Sequence, residues 1–285
     1  MALFPTPFRY PGGKTKLFPY VAEIFIENNL LDGHYVEPYA GGAGLAMSLL
    51  FTGYARYLHL NDLDRSIYAV WHCILNETEQ LCRYIQDVSI NMTEWNRQKE
   101  IQKNKDTESL LSLGLSTLFL NRTNRSGVIG GGVIGGNNQK GNYKIDARFN
   151  KKTLIAQIQN IAFYKKRIRL SNIDAKIFLL DHVAGLPQKT LVNLDPPYYR
   201  KGKDLYKNSY RHNDHREISK TVPMLKQHWI ITYDNVEPIK SLYSRYTPLE
   251  FKLTYSVNKK YKGKEILIAD PRLKLPAKEL LDKVA

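Results

Sequence analysis

Residues 34–51 read His-Tyr-Val-Glu-Pro-Tyr-Ala-Gly-Gly-Ala-Gly-Leu-Ala-Met-Ser-Leu-Leu-Phe: a short apolar run, a glycine-rich turn, then a helix-length apolar stretch over Leu45–Phe51. Glycines at the carboxyl end of a strand let the backbone approach a ligand closely, and open α/β sheets bind nucleotides at that place. The spacing is not GxGxxG, because Met47 stands where the third glycine would fall, so a dinucleotide pyrophosphate is not the favoured ligand. Working outward, Arg56–Asn61, Arg167–Ser171, Lys189–Leu194 and Trp229–Tyr233 are further short apolar runs that end in polar residues. Such runs predict buried strands of a mostly parallel sheet. Helical patterns such as Arg216–Gln227 separate some of them, and the alternation is the βαβ signal of an α/β fold.

The 285 residues suffice for two domains, or for one large domain with an insertion. Hydrophobic residues at 43% and charged residues at 24% exclude a disordered, collagen-like or coiled-coil chain. Cys73 and Cys82 form neither a CxxC motif nor a Cys/His ligand set, which excludes a disulfide scaffold or zinc module, leaves no metal site to expect, and favours a reducing compartment. Apolar runs stay below the ~18 residues that a membrane-spanning helix needs. The expectation is a soluble intracellular protein with no membrane partner.

Charge is concentrated. Residues 120–169 carry eleven Lys and Arg side chains against the single acid Asp146, so +10 of the net +15 lies in fifty residues. A polyanion explains that better than a solvated face, because every phosphate neutralised releases counterions and adds affinity. Between about Arg65 and Lys166 helical periodicity takes over (Ile67, Trp71, Ile74, Leu75, Leu81, Ile85, then Leu110, Leu111, Leu115, Leu118, Phe119), interrupted by seven of the 18 glycines between Gly127 and Gly141. That glycine-rich segment predicts a β-hairpin or loop. Residues 66–167 therefore read as a mostly helical, basic, nucleic-acid-binding insertion between 1–65 and 168–285.

Three further constellations carry chemistry. Asn61-Asp62-Leu-Asp64 ends the strand after the glycine turn; a carboxylate there can accept hydrogen bonds from ribose hydroxyls, while Asp62 or Asp64 can also cap a helix starting near Arg65. Phe8-Arg-Tyr-Pro-Gly-Gly-Lys14-Thr15 resembles a P-loop only superficially, because Phe8 stands where the first glycine is needed. What remains is a Gly-Gly turn presenting a cation. Leu191-Val-Asn-Leu-Asp195-Pro196-Pro197-Tyr198-Tyr199 is the most specific of the three. Its prolines stiffen the loop, Asp195 and the Pro196 carbonyl offer acceptors to an exocyclic amine, and Tyr198 offers a stacking platform for a base.

With these residues in view, the chain resembles the Dam-type DNA adenine N6-methyltransferases over roughly residues 7–270. Arg9–Lys14 is similar to the family's amino-terminal element, Glu37–Gly44 to its glycine motif, Asn61-Asp62 to its ribose-binding acid, Ser171–Asp174 to its adenine-side motif, and Asp195-Pro-Pro-Tyr198 to its catalytic motif. The resemblance implies a Rossmann-like S-adenosylmethionine-dependent methyltransferase core, with an inserted mostly helical target-recognition domain bearing a β-hairpin-like loop. It implies S-adenosylmethionine contacts from Tyr10, Lys14, Glu37, Gly41, Asp62, Asp174 and Asp195, and a catalytic set of Asp195, Pro196 and Tyr198. Asn121–Gly127 and Asn142–Asn150 loosely resemble the DNA-facing elements, which makes Arg122, Asn124, Arg125, Lys140 and Arg148 the expected contacts to double-stranded DNA. Lys259, Lys260, Lys262 and Lys264, in a loop between two strand-like runs, are expected to add phosphate contacts. The setting implied is the cytoplasm of a bacterial or phage-infected cell, with room for a cognate restriction endonuclease acting on the same site.

Three rivals remain at this stage. N4-cytosine methylation uses the same fold and a similar motif, usually with serine at the position of Asp195. A non-catalytic DNA-binding protein could retain the cofactor fold, and an RNA substrate would present the same phosphates.

Overall fold

The computed structural model describes residues 5–9, 13–200, 210–257 and 259–284. The chain divides into two compact units, one formed by Lys14–Asp62 with Arg167–Ala285 and the other by Met1–Gly13 with Leu63–Lys166.

The first unit is built on a seven-stranded sheet: β1 (Gly33–Glu37), β2 (Ala55–Asn61), β3 (Ile168–Ser171), β4 (Thr190–Leu194), β5 (His228–Asp234), β6 (Leu249–Val257) and β7 (Lys259–Ala269), in the order β3-β2-β1-β4-β5-β7-β6. The pairings β1–β2, β1–β4, β2–β3 and β4–β5 are parallel, while β7 joins β5, and β6 joins β7, antiparallel. All five residues of β4 are buried, the mark of a strand covered on both faces. Val36, Val192, Leu194, Ile231, Tyr233, Ile266 and Ile268 pass the core from strand to strand. Strand order reverses between β1 and β4, and loops at the carboxyl ends of those two strands flank the crevice where such sheets bind ligands. All five expected strands form, each within one residue of its predicted limits.

Two local expectations shift. The helix predicted over Arg216–Gln227 runs over His212–Thr221 and gives way to a 3-10 turn at Val222–Met224, because Pro223 has no N–H to continue the helical ladder. Lys259, Lys260, Lys262 and Lys264 lie in β7 and not in a loop, with Lys264 paired opposite Lys252.

The second unit is helical: α3 (Arg65–Asn76), α4 (Thr78–Asp87), α5 (Met92–Lys103), α6 (Leu110–Thr123) and α7 (Lys151–Phe163), the sheet unit holding α1 (Phe18–Glu27) and α2 (Gly44–Phe51). Short polar side chains start four of them. Asp64 accepts from the Ser66 N–H, Asn91 from Glu94, Ser109 from Ser112 and Asn150 from Thr153, each meeting an N–H that the helix leaves unpaired. Trp71, Ile74, Leu81, Ile85, Leu118 and Phe119 are buried as their spacing predicts, but Leu110, Leu111 and Leu115 are only half-buried and Leu113 takes the inward place.

The glycine-rich segment makes a single antiparallel bridge, Asn124 to Val133, flanked by Arg125 N–H to the Gly132 carbonyl and Ile134 N–H to the Thr123 carbonyl, 2.9 Å each. Consecutive turns complete it in place of a hairpin ladder. Residues 1–13, assigned from the sequence to the sheet unit, instead group with the helices. Asn121 exchanges two 2.9 Å hydrogen bonds with the Arg9 backbone, and Phe8 stacks on Trp71. Gly127 permits this: its φ is +77°, and a Cβ there would fall 2.0 Å from the Arg9 carbonyl oxygen.

Candidate active site

Asp195 follows the last residue of β4, half-buried at the central position of the sheet. Lys14, placed by the 3-10 turn Lys14–Leu17, sets its ammonium 2.8 Å from each Asp195 carboxylate oxygen. Thr232, on the neighbouring β5, donates to Oδ1 at 2.9 Å. The same ammonium donates to the Tyr198 hydroxyl at 2.8 Å, and that hydroxyl donates onward to Glu265 Oε1 at 2.5 Å. The amino-terminal element and the catalytic motif, read separately in the sequence, thus meet on one cation. Pro196, between Asp195 and Tyr198 in the chain, is buried. Glu265, on β7, is 1% exposed, and burial raises its carboxyl above the ordinary range while Lys14 pulls it back.

The far end of the loop is anchored by Asp234, whose two oxygens accept the Tyr199 and Arg200 N–H groups at 3.0 Å each. Beneath Tyr199 lies the fully buried His215, its Nδ1 3.1 Å from the Tyr233 hydroxyl. Burial lowers the His215 pKa to about 4, which leaves the ring neutral at pH 7.

At the end of β1, Glu37 is buried and accepts from the Tyr35 hydroxyl at 3.1 Å. Burial pushes its pKa up to about 8; the Tyr35 hydrogen bond opposes the shift and the nearby Asp195 charge adds to it. Gly41, at φ +46°, donates its N–H to Asp62 Oδ2 at 2.8 Å, so Asp62 holds the glycine turn in shape. Asp64 takes the helix-capping role. Asp174 accepts from the Lys176 and Ile177 N–H groups and caps the short helix Ala175–Ile177. Fully buried Asn61 ties three strand ends together, donating to the Pro38 and Ile173 carbonyls at 3.0 Å and accepting from the Ile173 N–H at 3.1 Å. Tyr10 lies outside the described residues.

Sequence reasoning missed Glu265, Thr232 and Asp234. Thr232 sits inside, and Asp234 just after, the run Trp229–Tyr233 read only as a core strand, and Glu265 is one acid in a lysine-rich stretch. A polar residue at a buried strand position was the available signal.

In the helical unit, Arg125, Lys140 and Arg148 are exposed, and Arg148 lies over the Tyr143 ring, 5.7 Å from its centroid. Arg122 is half-buried, donating to the Arg148 carbonyl at 2.7 Å and the Pro7 carbonyl at 3.2 Å. Burial, with Arg9 and Arg148 nearby, lowers its pKa to about 10. Asn124 departs from its expected role. It is 0% exposed, its oxygen accepts from Trp95 Nε1 at 2.7 Å, and its nitrogen donates to the Val128 and Ile129 carbonyls. It holds the glycine-rich loop and has no atom to spare for a base. Lys264 is exposed; the side chains of Lys259, Lys260 and Lys262 lie outside the described residues. Among the described residues no helix is long and apolar enough to cross a membrane.

The sheet, with its ligand crevice between β1 and β4, defines a Rossmann-like methyltransferase fold. A family model for D12 class N6 adenine-specific DNA methyltransferase matches residues 10–260, and the chain belongs to that family. A search of curated proteins finds no match. Among solved structures, a conserved hypothetical protein of Streptococcus pyogenes is similar at 10% identity, with 83% of this chain and 85% of that one covered and a TM-score of 0.33.

Proposed function

We propose that the protein methylates adenine N6 at a specific site in double-stranded DNA, takes the methyl group from S-adenosylmethionine, and acts on a base flipped out of the duplex. The carrying observation is the Asp195-Pro196-Pro197-Tyr198 loop at the end of β4, held by Lys14, Thr232 and Asp234. N6 is inaccessible inside the stack, so extrusion of the base, at a cost of a few kcal/mol, precedes reaction.

The chemistry of the donor set suits the cofactor. Asp195 and Glu265 share Lys14 as their lysine among the described residues, and Glu265 Oε2 is buried with no hydrogen-bond partner there, a surrounding that favours a cation. Glu37, Gly41, Asp62 and Asp174, with Lys14 and Asp195, would hold it along the carboxyl ends of the strands. When bound, it supplies an electrophilic methyl on a sulfonium. Asp195 and the Pro196 carbonyl accept from the amino group and aim its lone pair; Tyr198 stacks on the ring. Catalysis then comes from positioning, with no covalent enzyme intermediate. Arg122, Arg125, Lys140 and Arg148 supply contacts to the DNA, and the protein works in the cytoplasm.

The test incubates the protein with mixed-sequence duplex DNA and methyl-labelled S-adenosylmethionine, followed by digestion to nucleosides. Label in N6-methyladenine supports the reading. Label in N4-methylcytosine or in RNA replaces the substrate, and DNA binding without transfer at any site overturns the enzyme.

A further inference from the structure

Glu265 and Asp234 are direct partners across the antiparallel pairing of β5 and β7. Two acids facing each other on neighbouring strands repel, so the pair weakens the sheet unless each finds its own partner. Both partners belong to one loop. Asp234 accepts the backbone N–H groups of Tyr199 and Arg200, and Glu265 accepts the hydroxyl of Tyr198. The pair therefore grips the tyrosine at both ends, at the backbone just after it and at the tip of its ring.

Glu265 is costly to the fold in every other respect. It is 1% exposed, its second oxygen has no hydrogen-bond partner among the described residues, and the Lys14 ammonium stands 3.9 Å from that oxygen. An apolar residue would be cheaper in a strand where Ile266, Leu267 and Ile268 are otherwise buried. The hydroxyl it accepts also accepts from Lys14, and Lys14 holds Asp195. A chain of contacts thus runs from Glu265 through Tyr198 and Lys14 to the catalytic carboxylate.

We propose that Glu265 is a positioning residue for methyl transfer: by fixing the Tyr198 hydroxyl, and through it Lys14, it sets the ring plane on which the target base stacks relative to Asp195. This rests on the reading of the site as an adenine N6-methyltransferase.

The experiment is a kinetic double-mutant cycle on the full chain with wild type, Glu265→Leu, Tyr198→Phe and the double variant, reading kcat and the KM for S-adenosylmethionine separately. If the two side chains act as one unit, each single variant lowers kcat by about 10²-fold, as a misplacement of ~1 Å does. The KM stays within about threefold, and the double variant is no slower than the worse single. Multiplying effects, an unchanged kcat in Glu265→Leu, or a loss confined to the cofactor KM each overturns the proposal. Should Glu265→Leu melt below the assay temperature, Glu265→Gln, which keeps the acceptor oxygen, takes its place: a kcat within about twofold of wild type in Tyr198→Phe overturns the role, and a 10²-fold fall there with Glu265→Gln within about threefold of wild type upholds it. Wild type run alongside separates the two layers, since wild type without transfer refutes the underlying reading itself.

Discussion

Lys14 straddles the carboxylate of Asp195, 2.8 Å from each oxygen, across 181 positions of sequence. Lys14 is almost fully buried, whereas the Asp195 side chain keeps 25% of its surface. The acid is thus fixed from the protein side and open on the other, as an acceptor for an incoming amine must be. Asp195→Ala is expected to lower methyl transfer by at least about 10²-fold while DNA affinity changes by less than about threefold. Filter binding beside a transfer assay measures both. A parallel loss of DNA binding would remove Asp195 from the catalytic role proposed for it.

Asn61 predicts a stability effect. Asn61→Leu leaves the carbonyls of Pro38 and Ile173 and the N–H of Ile173 unmatched at the ends of β1 and β3. With unmatched buried groups costing about 1–3 kcal/mol each, the total should exceed about 3 kcal/mol. Urea unfolding measures this; a cost below about 1 kcal/mol would mean that water or a shifted loop replaces the amide.

Glu37 makes stability depend on pH. Its pKa is about 8 in the folded protein, where burial holds the neutral form, against an ordinary 4.5. The folded state therefore keeps a proton that the unfolded chain releases. The associated stability is complete below pH 4.5 and is lost as pH rises through 8. Glu37→Gln removes this dependence, so the variant should gain on wild type between pH 5 and 8 by on the order of a few kcal/mol. Unfolding curves at unit pH intervals test it, and parallel profiles would count against a neutral Glu37.

Arg125 and Lys140 are exposed, and neither anchors a helix. Replacing either with alanine should weaken DNA binding, Lys140→Ala without altering the melting temperature and Arg125→Ala with a small fall from the loss of its 3.2 Å Nε hydrogen bond to the Val133 carbonyl. It should also reduce the slope of log K against log salt by about one per residue. Asn124→Ala should do the reverse, since its amide is spent on Trp95, Val128 and Ile129. A salt slope unchanged in Arg125→Ala and Lys140→Ala would put the DNA on another face.

The contrast between Asn124 and its neighbours marks where sequence reading works. Strands β1, β4 and β5 were legible because strands buried on both faces must be nearly continuously apolar and must end in polar loops, and β2 and β3, each with an exposed arginine, were legible from shorter apolar runs with polar ends. The loop at Asp195 was legible because prolines between an acid and a ring are informative without any coordinates. Asn124 was not, because an asparagine that caps a loop from inside and one that reaches a base have the same neighbours in sequence. Glu265 was hidden for a related reason. Its partner Tyr198 is 67 positions away, and nothing in a stretch of lysines says which acid turns inward. The lysines of β7 read as loop because charge on an edge-side strand resembles charge in a turn; only the pairing with β6 distinguishes them.

The antiparallel addition of β7 beside β5 has a consequence for biosynthesis. Lys14 leaves the ribosome early, Asp195 and Tyr198 much later, and Glu265 later still, after β6. No nascent intermediate owns the whole constellation, and contacts this distant in sequence form slowly. Competence to modify DNA should therefore appear as a single late event in synthesis, and an incompletely translated copy should leave DNA unmodified.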